Sequence, residues 1–158
     1  MNRIQKILCH EDYVKYLKKN KDCEKGRKYC KHNAVHFLDV ARIGYILILE
    51  GGFGISKEEM YAAALLHDIG RWRQYGDGTP HEIASAELAE PILRDAEFSS
   101  MDIKEIIEAI LAHRNSAAAK RKDLTGVLFR ADKLSRKCLL CKMNDSCDWK
   151  HKNSRVEI

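Results

Sequence analysis

The chain has 158 residues, 45% hydrophobic and 32% charged, a length and balance that suit one domain with a sizeable core and favour helix over sheet. Its apolar runs, residues 45–49 among them, fall far short of the roughly 20 residues of a membrane span, and no signal-peptide core is visible, so a cytoplasmic protein without a membrane partner is expected. The net charge of +5 suits anionic substrates, but the basic residues form no stripe that would track a nucleic acid, and Lys120-Arg121-Lys122 reads as a solvated turn.

In chain order, apolar residues at helical spacing (Ile4, Ile7, Leu8, Val14, Leu17) predict a first helix over residues 4–17. The lysine-rich stretch 18–28 reads as a connection. A longer helix over residues 31–50 should turn Val35, Leu38, Ala41, Ile46 and Leu49 inward and end at Gly51-Gly52. Ser56 and Glu59 form a capping box that starts a helix through Tyr61, Ala64 and Leu65 to His67-Asp68, with Gly70 as its exit. Residues 71–78 read as a loop. Thr79-Pro80-His81-Glu82 then repeats the capping logic, which puts His81 in a first helical turn. A helix after Asp102, with Glu105 completing its box, faces Ile103, Ile106, Ile107 and Ile110 inward and carries His113 near its end. A last helix over residues 125–137 holds Val127, Leu128, Ala131 and Asp132. The expected fold is an all-α bundle of five to seven helices, a single domain over residues 1–158 with its core at about 31–137 and a cysteine-containing extension over 138–158.

An apolar helix ending in His67-Asp68 carries two hard metal ligands where none is needed for packing. His36, His81, His113 and Asp132 lie in similar helical surroundings, so six candidate ligands could converge on one site. Asp68 is the natural bridge if two ions lie side by side. His32 sits one turn before His36 and reads as partly exposed or behind the ligands, while His10 and His151 read as surface residues.

The segments HFLDVA at 36–41, LLHDIG at 65–70 and FRADKLSR at 129–136 resemble the HD-domain superfamily of metal-dependent phosphohydrolases, with the order His, His-Asp, Asp complete. The resemblance spans about residues 31–137 and implies that His36, His67, Asp68 and Asp132 hold a first metal. His81 and His113 look like the extra histidines by which two-metal members hold a second ion, although in single-metal members such positions contact phosphate instead. Those two-metal members include bacterial hydrolases of diadenosine tetraphosphate and the HD-GYP phosphodiesterases. The former match better in size and motif order, since the GYP motif is absent. Arg71 stands where the nucleoside monophosphatases place an acid, and the Glu-Asp pair of the alarmone hydrolases is missing.

The resemblance implies hydrolysis of a small phosphorylated substrate, a nucleotide or another phosphate ester, by metal-activated water. The metal would be one or two divalent ions, Fe or Mn foremost, with Ni, Co, Mg or Zn as alternatives. Asp68, His81 and His113 would be the catalytic residues, a histidine acting on the leaving group only if it is free of metal. Arg71, Arg73, Lys133 and Arg114 are near enough in sequence to the ligands to bind phosphate.

Cys138, Cys141 and Cys147 follow in a CxxC pattern with a third cysteine, which in a reduced compartment points to a zinc or iron-sulfur site more than to disulfides. Cys30 is the expected fourth ligand: it precedes His36 by as many residues as Cys138 follows Asp132, and antiparallel helices would carry both away from the first metal together. Cys9, Cys23 and His10 are substitutes. Unligated thiols or a Cys138-Cys141 redox pair are the other readings. Against hydrolysis stand a diiron oxygenase on the same scaffold and a regulatory protein that senses metal or redox state. Oligomeric state is not legible.

Overall fold

In the computed structural model, which describes residues 2–149, 152 and 153, the apolar run 62–66 lies at the centre of the molecule with every side chain fully buried. It belongs to α4 (Lys57–Leu66), around which pack α1 (Arg3–Cys9), α3 (Ala34–Gly51), α6 (His81–Asp95), α7 (Ser100–Ala112) and α8 (Leu124–Leu134). A helix that is apolar all round needs such a position. Two further helices, α2 (Glu11–Cys23) and the short α5 (Arg71–Gly76), pack on each other at one side. Short 3₁₀ turns at Ser116–Lys120 and Cys138–Leu140 complete the regular structure, and no strand occurs among the described residues. The all-α expectation holds.

Local chemistry sets most boundaries. The Ser56–Glu59 capping box opens α4 as expected. Gly52 ends α3 in the left-handed region at φ 64°, a conformation glycine adopts without strain. His81 does begin α6, although Pro80 stands outside the helix as its N-cap. The box expected from Asp102 to Glu105 forms one turn earlier, between Ser99 and Asp102, so α7 begins at Ser100.

Several expectations change. The first helix is two, broken at His10, whose Nδ1 accepts the Asp12 N–H and caps α2. His10 is therefore a half-buried cap that also meets Asp95, rather than a bare surface residue, and α2 continues to Cys23 through the supposed connection. The loop at 71–78 contains α5. The inner face of α3 is turned from the expected one: Val35 and Leu49 are 61% and 63% exposed, while Phe37, Val40, Ala41 and Ile48 are buried. The stripe at 37, 40, 41, 44 and 48 fits the 3.6-residue period, and the helix has enough apolar residues outside it to blur the signal. His151 lies outside the described residues.

Candidate metal centre

The last turn of α4 delivers His67 and Asp68 to the interior at 0% and 2% exposure. Asn20 of α2 holds this turn in place. Its Nδ2 donates to the Asp68 carbonyl at 2.9 Å, and its Oδ1 accepts the Trp72 N–H at 2.8 Å. Gly70 follows because α6 passes so near that a Cβ would stand 2.5 Å from the Ser85 nitrogen, and the Gly70 N–H instead donates to Ser85 Oγ at 2.9 Å.

Around this turn the six expected residues converge as two groups, each within a span one ion could bridge: His36, His67 and Asp132, and Asp68, His81 and His113. The groups meet at Asp68. Its Oδ2 lies 3.3 Å from His67 Nε2, and its Oδ1 lies 3.1 Å from His81 Nε2 and 3.6 Å from His113 Nε2. Asp132 Oδ1 stands 3.3 Å from His36 Nε2 and 3.8 Å from His67 Nε2. His36 Nε2, His67 Nε2 and Asp68 Oδ1 are buried without any hydrogen-bond partner. Buried polar atoms normally find one, and a divalent cation in each group would satisfy all three.

The Nδ1 side of each imidazole is anchored. His67 donates to Ala64 O (2.8 Å), His113 to Ile110 O (2.6 Å), His81 to Gln74 Oε1 (2.6 Å) and His36 to Ser135 Oγ (3.2 Å), whose hydroxyl is committed to Asp132 O. Protonation at Nδ1 leaves each Nε2 lone pair facing inward, the arrangement that orients histidine for a metal. Burial alone would raise the Asp68 and Asp132 carboxyls, yet surrounding imidazoles and, for Asp132, Arg136 and Lys133 hold both well below the usual range. Burial opposes a charge on His67 as well, but the two aspartates carry it up to about 9. His36 and His81 are pushed down, by burial first.

The centre opens into a cavity of about 270 Å³ lined by Asp68, His81, His113 and Asp132. Arg71, Lys133 and Arg114 line it as the sequence suggests. Arg73 does not: two residues along α5 from Arg71, it points to α6 and pairs with Glu87. Arg136 was hidden in the sequence, yet it lines the cavity and binds Asp132 Oδ1 at 2.9 Å. Its signal is the i,i+4 spacing from Asp132, which places both on one face. His32 and Glu24 were also underrated. Both are buried, and His32 reaches the cavity.

Cys30, Cys138, Cys141 and Cys147 line the same cavity. Their sulfurs are not gathered, however: among the described residues no three cysteines fall within 4.8 Å of one another. Cys138 turns inward on its 3₁₀ turn, while Cys30 is exposed on the loop before α3 with its thiol against Arg136. Cys9 and Cys23 are exposed free thiols.

A family model for the HD domain matches residues 33–137. A protein of Clostridium beijerinckii, described only as uncharacterized, is 45% identical over all of this chain and 99% of its own length. No solved structure matches. The chain belongs to the HD domain family, within the broad superfamily of metal-dependent phosphohydrolases.

Proposed function

We propose that this protein hydrolyses a nucleotide or another small phosphate ester at a dinuclear centre of Fe or Mn. The observation that carries this reading is the pair of three-ligand groups joined at Asp68, opening on a cavity edged by Arg71, Lys133 and Arg136. His36, His67 and Asp132 would hold one ion and His81 and His113 the other, with Asp68 between them. When bound, such ions lower the pKa of water and draw charge from phosphate oxygens.

The chain's own part is to bind and orient. Arg71 stands 3.8 Å from Asp68 Oδ1 and 3.3 Å from His81 Nε2, so its guanidinium can meet a phosphate lying over the centre. Lys133 and Arg136 flank Asp132 on another wall and offset further negative charge. The convergence of His81 and His113, with Nε2 atoms 3.3 Å apart beside Asp68 Oδ1, favours ligation for both over proton donation to the leaving group. This cationic lining favours an anionic substrate such as a phosphate ester.

Protein loaded with Mn or Fe should release phosphate or nucleotide from a panel of phosphomonoesters, dinucleoside polyphosphates and cyclic dinucleotides. Oxygen uptake by a mixed-valent iron form with no release from the panel would replace hydrolysis by oxygenase chemistry.

A further inference from the structure

Beyond the six residues of the family pattern, a fifth buried imidazole faces the centre. His32 is 4% exposed and precedes α3, at the foot of the cavity. Its Nε2 lies 3.7 Å from Asp68 Oδ2, on the same carboxylate oxygen that His67 Nε2 approaches at 3.3 Å. Two ligands of one ion, each bonded at about 2.1 Å, stand about 3–4 Å apart. The spacing fits partners on a shared metal, with His32 standing outside the two three-ligand groups, on the Oδ2 edge of Asp68.

Behind His32 stands a partner of the kind that ligand histidines use. His32 Nδ1 donates to Glu24 Oε1 at 2.6 Å, and the His32 backbone N–H donates to Glu24 Oε2 at 2.7 Å. Tyr75 Oη also donates to Glu24 Oε1, at 2.9 Å. Glu24, the C-cap of α2, is only 3% exposed. A buried carboxylate held by three donors fixes the imidazole ring and its tautomer, with the proton on Nδ1 and the lone pair on Nε2. His36, His67, His81 and His113 show the same polarity, each anchored through Nδ1. A core histidine with only a packing role would need a donor or acceptor for Nε2; here that atom meets the cavity and the Asp68 carboxylate.

We propose that His32 is an additional metal ligand on the Oδ2 side of Asp68, positioned by Glu24 as a carboxylate–histidine–metal triad. The proposal rests on the metal-centre reading above and adds a donor to it. With five imidazoles, the centre is nitrogen-rich and should select Fe, Mn, Co or Zn over Mg, whose preference is for oxygen donors.

Proton NMR of the Co-substituted protein tests this directly. Each imidazole bound through Nε2 contributes one strongly shifted, exchangeable Nδ1–H signal. The wild-type protein should show five such signals and His32→Gln four, with Co affinity at one site reduced at least tenfold; Glu24→Gln should weaken Co binding about tenfold. Wild-type protein that binds Co and shows only four signals would overturn the role of His32 without needing any variant, as would a folded His32→Gln protein with unchanged Co affinity. Failure of the wild-type protein to bind Co would overturn the metal centre itself, and His32's role with it.

Discussion

Asn20, fully buried on α2, bonds the backbone carbonyl of Asp68 through its side chain at 2.9 Å. The helix pair α2 and α5 thus reaches the candidate metal centre through one amide, which also receives the Trp72 N–H. Asn20→Leu should leave that carbonyl and that N–H without partners at a cost of about 1–3 kcal/mol for each buried group. Urea unfolding of the metal-free protein measures it, and metal affinity should fall in parallel.

Gly70 makes a second demand on the same turn. In Gly70→Ala the new methyl group would meet backbone atoms of Ala84 and Ser85 at 2.6 and 2.5 Å, where no flexible side chain can move away. Separating α6 from the turn would draw His81 from Asp68. A fall in stability of about 1–3 kcal/mol, typical of overpacking, is expected in thermal melts, together with loss of the second metal equivalent. Full retention of both would show that α6 adjusts without moving the site.

Phosphate binding should separate two neighbouring arginines. Arg71 faces the cavity and Arg73 faces Glu87. Removing one charge-assisted contact costs about 1.5–3 kcal/mol, or about 10- to 150-fold. Arg71→Ala should lower kcat/KM by that factor and Lys133→Ala should act similarly, while Arg73→Ala stays within about twofold of wild type. Steady-state kinetics on one substrate, with metal content measured beside it, makes the comparison.

The metal-free protein should be most stable near neutral pH. Burial holds His32 down to about 4, so between that value and an ordinary histidine pKa of about 6.5 the unfolded chain binds more protons and stability falls as pH drops. His36 and His81 act in the same direction. His67 is opposite: burial would lower it, but Asp68 and Asp132 raise it to about 9. Its contribution is complete below about 6.5 and is lost as pH rises through about 9. The two aspartates, held low, withdraw theirs as pH falls below about 4. Urea midpoints in chelator from pH 4 to 10 should trace a maximum, and a flat profile would refute the assigned environments.

Much of this site is legible in the sequence because metal ligation demands particular residue types at helix ends. His36, His67, Asp68, His81, His113 and Asp132 all fall into the two groups. What the sequence hides are partners set by packing between distant segments. Asn20 and Glu24 lie in a lysine-rich stretch that reads as a connection, and their role follows only from the docking of α2 against α5. Arg73 and Arg71 look equivalent in sequence until the hidden helix α5 sets their directions. The four cysteines of the expected site line one cavity, but the placing of their thiols depends on a turn geometry that spacing does not specify.

Whether Asp68 joins two metal groups in a hydrolytic centre is decided by metal content and phosphate release measured on the same preparations of wild-type protein and Asp68→Ala. Two equivalents of Fe or Mn with turnover in the wild type, and loss of both turnover and at least one equivalent in the variant, is the expected result. Turnover that survives in Asp68→Ala, or a fully loaded wild-type protein that releases phosphate from nothing offered to it, would refute a hydrolytic centre joined at Asp68.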